Sequence, residues 1–134
     1  MAIRVVRDLS SPMRIIVEID QYRLAMEISA ENDGHSAGPN PHDLYDAALA
    51  ACKALTVLWF AHQKKLSIEN LEITVTRDNS REPSGIYRLR ADSKLTGTLD
   101  YRQKTELMQV ARRCPIERLM TEVKTEVTTT WAET

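Results

Sequence analysis

The chain of 134 residues contains only two cysteines, Cys52 and Cys114. That scarcity excludes a disulfide-stapled secreted scaffold, which relies on several pairs to replace a core. Long apolar runs are missing too. The longest apolar region, residues 47–61, is interrupted by Lys53 and falls short of the ~20 residues needed to cross a bilayer. The first apolar run, residues 3–6, is broken at once by charge and does not read as a signal peptide. A basic excess is absent: the formal net charge is -1, which argues against nucleic-acid binding. The dense basic pairs Lys64-Lys65 and Arg112-Arg113 read as solvated helix-end features. There is no internal repeat and no low-complexity segment. The expectation is a single soluble, cytoplasmic domain over residues 1–134 that contacts neither membrane nor nucleic acid. In a reducing compartment a cysteine pair is either inert packing or redox chemistry.

What is present reads as alternating blocks of strand and helix. Within residues 1–29, three short β-branched segments suggest an antiparallel meander, with a turn at Asp20-Gln21 and Tyr22, Leu24, Met26 and Ile28 on one face. Residues 30–41 are polar and rich in glycine and proline, a loop that ends in a helix start. Asn40 suits an N-cap, Pro41 the first helical position, and Asp43 the first turn, where the helix dipole favours negative charge. The helix predicted over 40–64 begins amphipathic and becomes apolar on nearly all sides, which marks a core helix buried on several faces. Its alanines at 47, 48, 50 and 51 would let another backbone approach closely. A strand hairpin follows over 69–96. Helices follow over 100–121, broken at Cys114-Pro115 because the residue before proline disfavours the α region. A β-branched final strand is expected over 123–131. The fold class expected is α+β.

Cys52 falls near the middle of the long helix, with Ala48, Leu49, Leu55 and Thr56 one turn away, so its thiol should face an apolar site. Cys114 stands at the helix break, where freed backbone N–H groups of the next helix favour a thiolate. Free cysteine is among the most buried residue types, so residue type and spacing alone favour the packing reading.

The surroundings of both cysteines carry a resemblance. The run Gly38-Pro39-Asn40-Pro41-His42-Asp43-Leu44-Tyr45-Asp46-Ala47-Ala48-Leu49-Ala50-Ala51-Cys52 resembles the signature of the OsmC/Ohr family. There a G-x-N-P segment opens a central helix, and an alanine-rich run ends in the peroxide-attacking cysteine. Ala111-Arg112-Arg113-Cys114-Pro115-Ile116 is similar to the family's A-x-x-C-P-[VI] motif around the resolving cysteine. The resemblance implies an intertwined homodimer with antiparallel sheets wrapped around long central helices. It implies reduction of organic hydroperoxides, with Cys52 as nucleophile and Cys114 as resolving thiol. The oxidised pair would be restored by an external dithiol reductant of lipoyl or thioredoxin-like type, with no metal or organic cofactor.

One departure stands out. The family usually carries a glutamate directly after the N-P pair, and it holds an arginine that stabilises the thiolate; here the position is His42, followed by Asp43. Residue 42 lies about 15 Å along a straight helix from Cys52, so it can serve that site only from a partner subunit. Three readings stay open: Asp43 anchors the arginine, a protonated His42 stabilises the thiolate itself, or the network is absent. Arg14 and Arg23 in the meander are the candidate arginines, with Arg7 just before them, and no motif chooses among them. His35, near His42, Asp43 and Asp46, matches no standard metal-ligand spacing. Trp59, Phe60 and Trp131 read as packing residues. The rival class is a binding protein of the same fold for a small apolar or acyl ligand, with little turnover.

Overall fold

In the computed structural model, residues 1–32, 34 and 38–132 are described. His35 lies outside them. The chain divides into two compact units, Met1–Ala47 and Ala48–Thr134, with the boundary inside the long helix. The expected single domain is thus organised as two units.

The first unit holds a three-stranded antiparallel meander, β1 (Ile3–Arg7), β2 (Arg14–Ile19) and β3 (Tyr22–Glu27), in that order across the sheet. Asp20 adopts φ 51° in the tight turn between β2 and β3, a left-handed conformation that aspartate tolerates. Val17 and Met26 are buried. The Gly38-Pro39 segment returns along β3, where the Glu27 N–H donates to the Pro39 carbonyl at 3.2 Å. A Cβ at Gly38 would collide with the Ala25 carbonyl, so the close approach requires glycine. The chain then enters the long helix α1 (Pro41–Gln63). The Asp43 N–H donates to Asn40 Oδ1 at 2.9 Å, and the Asn40 N–H donates to Asp43 Oδ2 at 3.1 Å. This reciprocal cap satisfies two N–H groups at the helix start.

In the second unit, α1 runs on into a long antiparallel hairpin of β4 (Ser67–Asp78) and β5 (Arg88–Thr98). Its loop contains a short 3-10 turn that closes at Gly85, φ 92°. Helix α2 (Tyr101–Ala111) opens with a capping box, Asp100 to Gln103, and α3 (Pro115–Thr121) follows the break at Cys114. Val57 and Ala61 of α1 form the core with Leu107 and Ala111 of α2. Phe60, Ile68, Leu71, Leu95 and Met108 pack around it. Buried positions on α1 recur every fourth residue at Leu49, Lys53, Val57 and Ala61, which is one face of a helix.

Three expectations need correction. Residues 123–131 form no strand. β-Branched composition favours extended backbone, but a strand exists only where another strand hydrogen-bonds to it, and none does so here among the described residues. α1 has the extent expected, but with a mean hydropathy of 1.4 over its most apolar window it is long and apolar enough to cross a bilayer, which the reading of residues 47–61 had excluded. Its charge at Lys53 is nonetheless buried and paired within the second unit. Trp59 and Trp131, expected to pack, are 64% and 89% exposed.

Leu107 is fully buried, whereas Leu119 is 49% exposed. Leu107→Ala should lower unfolding stability by about 3 kcal/mol, and Leu119→Ala by no more than about 1 kcal/mol. Urea denaturation of the two variants checks the contrast.

Candidate functional site

The helical repeat sorts α1 of the second unit into three strips. Leu49, Lys53, Val57 and Ala61 are buried. Ala48, Ala51, Leu55, Leu58 and Trp59 form an exposed, almost wholly apolar strip. Cys52, Thr56 and Phe60 lie between and are half-buried. The Cys52 thiol therefore borders both the core and the exposed apolar strip.

Cys114 is placed by the break between α2 and α3. Its backbone is extended, at φ -68° and ψ 140°, as the following proline demands. The residue becomes the N-cap of α3, and its sulfur accepts the Glu117 N–H at 3.4 Å. Cys114 is fully buried, unlike Cys52. The two thiols are neighbours, near enough for Cys52 to act on Cys114. The groups that act on Cys114, namely Cys52, Lys53 and the Glu117 N–H, belong to the second unit. Burial pushes the Cys114 thiol above its ordinary value of 9.0. The Glu117 N–H and the Lys53 ammonium pull it down, while the neighbouring Cys52 thiol adds to the rise.

The adjacent Lys53 was read from the sequence only as an interruption of an apolar run. Its Nζ donates to the Ala111 carbonyl at 2.9 Å and to Glu117 Oε1 at 3.0 Å. It thus caps the last residue of α2, where a cation meets the negative end of the helix. The signal available was a lone charge with apolar residues four positions away on both sides, since a buried charge has to be paired.

The remaining candidates belong to the first unit. His42 is exposed on the first turn of α1, and Asp43 is committed to the cap described above. Arg23 is exposed on β3. Arg14 is half-buried: its Nη1 donates to Ser10 Oγ at 3.3 Å and lies 4.0 Å from Asp8 Oδ2. Its Nε is buried with no partner among the described residues. Asp8 accepts two hydrogen bonds from Ser10, which hold its carboxyl below the usual range. Ser11 donates to the buried carboxylate of Glu27 at 3.3 Å. Among the described residues no group of three or more His, Cys, Asp or Glu could hold a metal ion. A depression of about 460 Å³ on α2, lined by Tyr101, Arg102, Thr105, Glu106 and Gln109, includes neither cysteine.

The sequence matches the family model described as OsmC-like protein over residues 17–130. No match is found among curated proteins. Solved structures share the fold. An OsmC-like protein from Mycoplasma pneumoniae is 23% identical, with a TM-score of 0.73 over 91% of this chain and 87% of its own. An organic hydroperoxide resistance protein OsmC from Legionella pneumophila is 19% identical, with a TM-score of 0.67 over 91% of this chain and 90% of its own. The organic hydroperoxide resistance protein OhrB of Bacillus subtilis is also 19% identical, with a TM-score of 0.57 over 91% of this chain and 93% of its own.

Two outcomes follow from the unequal thiols. Brief treatment with iodoacetamide at neutral pH should modify Cys52 and spare Cys114, with both modified in denaturant; mass spectrometry of the digested chain reads this directly. Because burial raises the Cys114 pKa, the folded chain keeps a proton that the unfolded chain releases near pH 9.0. That contribution to stability is complete below pH 9.0 and is lost as pH rises through the raised value. Denaturation midpoints of the unaltered protein should fall above pH 9.0 more steeply than those of Cys114→Ala.

Proposed function

The chain belongs to the OsmC-like protein family, and from that premise we propose that it is a thiol-dependent peroxidase that reduces organic hydroperoxides in cytoplasmic oxidative-stress defence. The observation that carries this reading is that the chain's two cysteines are neighbours, one half-exposed on α1 and one buried at the start of α3, with Cys52 acting on Cys114. Relatives of the same fold named for organic hydroperoxide resistance support the substrate class.

In this reading the Cys52 thiolate attacks the terminal peroxide oxygen. An S–O bond forms, the O–O bond breaks, and the alkoxide takes a proton to leave as alcohol. Cys52 becomes a sulfenic acid. The Cys114 thiolate then attacks the Cys52 sulfur; the disulfide forms, and hydroxide leaves as water with the proton that Cys114 gave up. A dithiol reductant of lipoyl or thioredoxin-like type supplies two electrons and restores both thiols. No metal or organic cofactor takes part. The fully buried Cys114 directs the reductant to the half-exposed Cys52 sulfur, with Cys114 as the leaving group. The apolar strip of Ala48, Ala51, Leu55, Leu58 and Trp59 beside Cys52 suits an alkyl chain better than a small polar peroxide. It also suits a second copy of the chain, since an exposed apolar strip of this kind favours a cover. The proposed assembly is therefore a homodimer.

Of the candidate activating arginines, Arg14 is half-buried, with no partner for its Nε among the described residues, and Arg23 is exposed. His42 and Asp43 would reach the site only from a partner subunit. The histidine in place of the usual glutamate favours the rival reading, a binding protein for an apolar or acyl ligand with little turnover.

Peroxide consumption with a dithiol reductant decides between them. Cumene hydroperoxide should be consumed faster than hydrogen peroxide. Cys52→Ser should fall to background, and Cys114→Ser should form a sulfenic acid once without sustained turnover. Consumption by the unaltered protein no faster than by Cys52→Ser would leave the binding protein as the better reading.

A further inference from the structure

Lys53 is the charge that the peroxidase reading does not use. It occupies the buried row of α1, where an apolar side chain would continue the sequence of Leu49, Val57 and Ala61. Burial of an ammonium is unfavourable unless it is paired and hydrogen-bonded. The pairing here has a particular shape. Nζ reaches the carbonyl of Ala111, the last residue of α2, at 2.9 Å, and the carboxylate of Glu117, in the first turn of α3, at 3.0 Å. Between those two partners lies the break that carries Cys114. Lys53 thus fastens both sides of the break to the helix bearing Cys52, from the position next to Cys52.

The second contact bears on the sulfur directly. Glu117 holds the Lys53 ammonium with its side chain and donates its backbone N–H to Cys114 Sγ at 3.4 Å. One residue therefore couples the lysine to the thiol. The groups acting on Cys114 from the packed elements are Cys52 and Lys53 of α1 and the Glu117 N–H of α3. Lys53 is the one full positive charge among them. It opposes the burial that otherwise keeps Cys114 protonated.

We propose that Lys53 is a positioning residue for the second half of the thiol cycle: it holds Cys114 against Cys52 and favours the Cys114 thiolate, both when that thiolate attacks the sulfenic acid and when a reductant displaces it from the disulfide. This rests on the peroxidase reading given above. In the first of these steps the S–S bond forms as the S–O bond breaks and water departs. In the second the reductant's thiolate bonds to the Cys52 sulfur, and the electron pair of the broken S–S bond stays on Cys114, on which the Lys53 ammonium acts. Peroxide attack by Cys52 needs neither step.

The test separates the two halves. One equivalent of cumene hydroperoxide is added without reductant; in one sample dimedone traps the sulfenic acid, whose formation consumes one free thiol, and in a second sample without dimedone loss of the second free thiol reports the disulfide. Lys53→Met should form sulfenic acid within about twofold of the unaltered rate. Its disulfide should form about tenfold more slowly, corresponding to roughly one unit in the Cys114 pKa. Glu117→Gln leaves the ammonium without its neutralising partner and should speed disulfide formation. Unchanged disulfide formation in Lys53→Met, or slowing in both variants alike, overturns the proposal. If Lys53→Met does not fold, Glu117→Gln carries the test in a Cys52→Ser background. There, thiolate absorbance at 240 nm should appear at lower pH than in Cys52→Ser alone, and no shift or an upward shift overturns the proposal. That titration uses no peroxide, so it reads the lysine's hold on Cys114 apart from any activity. Absence of both sulfenic acid and thiol loss in the unaltered protein overturns the peroxidase reading itself, together with the kinetic role built on it.

Discussion

A helix of 23 residues with apolar side chains around most of its circumference must be covered on more than one face, and the rest of the second unit is organised around that requirement. α2 and the hairpin cover the face carrying Val57 and Ala61. The face carrying Leu55 and Trp59 stays open in the single chain. Cys52 stands on the boundary between the covered and open faces. The proposed peroxide chemistry would use that position: half-exposed for a substrate, and near a second thiol that solvent does not reach.

The two cysteines differ because their backbones differ. Cys52 sits in mid-helix, where its own N–H belongs to the helix ladder. Cys114 sits where the ladder stops, so its sulfur takes a backbone donor from the next helix. Burial and that donor act on Cys114 in opposite directions, and burial is the larger effect. The thiol that solvent cannot reach is thus held above its ordinary pKa even with the Lys53 ammonium pulling the other way.

Much of this was legible in the sequence wherever a local rule sufficed. Asn40, Pro41 and Asp43 announced the start of α1, and the cap has that form. Cys114-Pro115 announced the break between α2 and α3, and alternation announced β4. The remainder depended on partners distant in the chain. Lys53 looked like a blemish in an apolar run because Ala111 and Glu117, which explain it, lie far along the sequence. Residues 123–131 looked like a strand because composition reports a preference for extended backbone and says nothing about which edge receives it. The exposure of Trp59 and Trp131 was invisible for the same reason: aromatic character predicts that a residue will be covered, not that this chain supplies the cover.

The contact between Cys52 and Cys114 joins points roughly sixty residues apart, and loop-closure entropy gives a cross-link of that span a weight of about 4 kcal/mol against the unfolded chain. A fold that holds the two sulfurs together favours their disulfide, and by reciprocity the disulfide favours the fold by the same amount. The oxidised chain would then be the more heat-resistant form, and any substitution that loosens the second unit would make its disulfide easier to reduce. With the proposed disulfide formed, thermal stability and redox potential would be two readings of a single coupling, and the protein would be firmest in the state that oxidant creates.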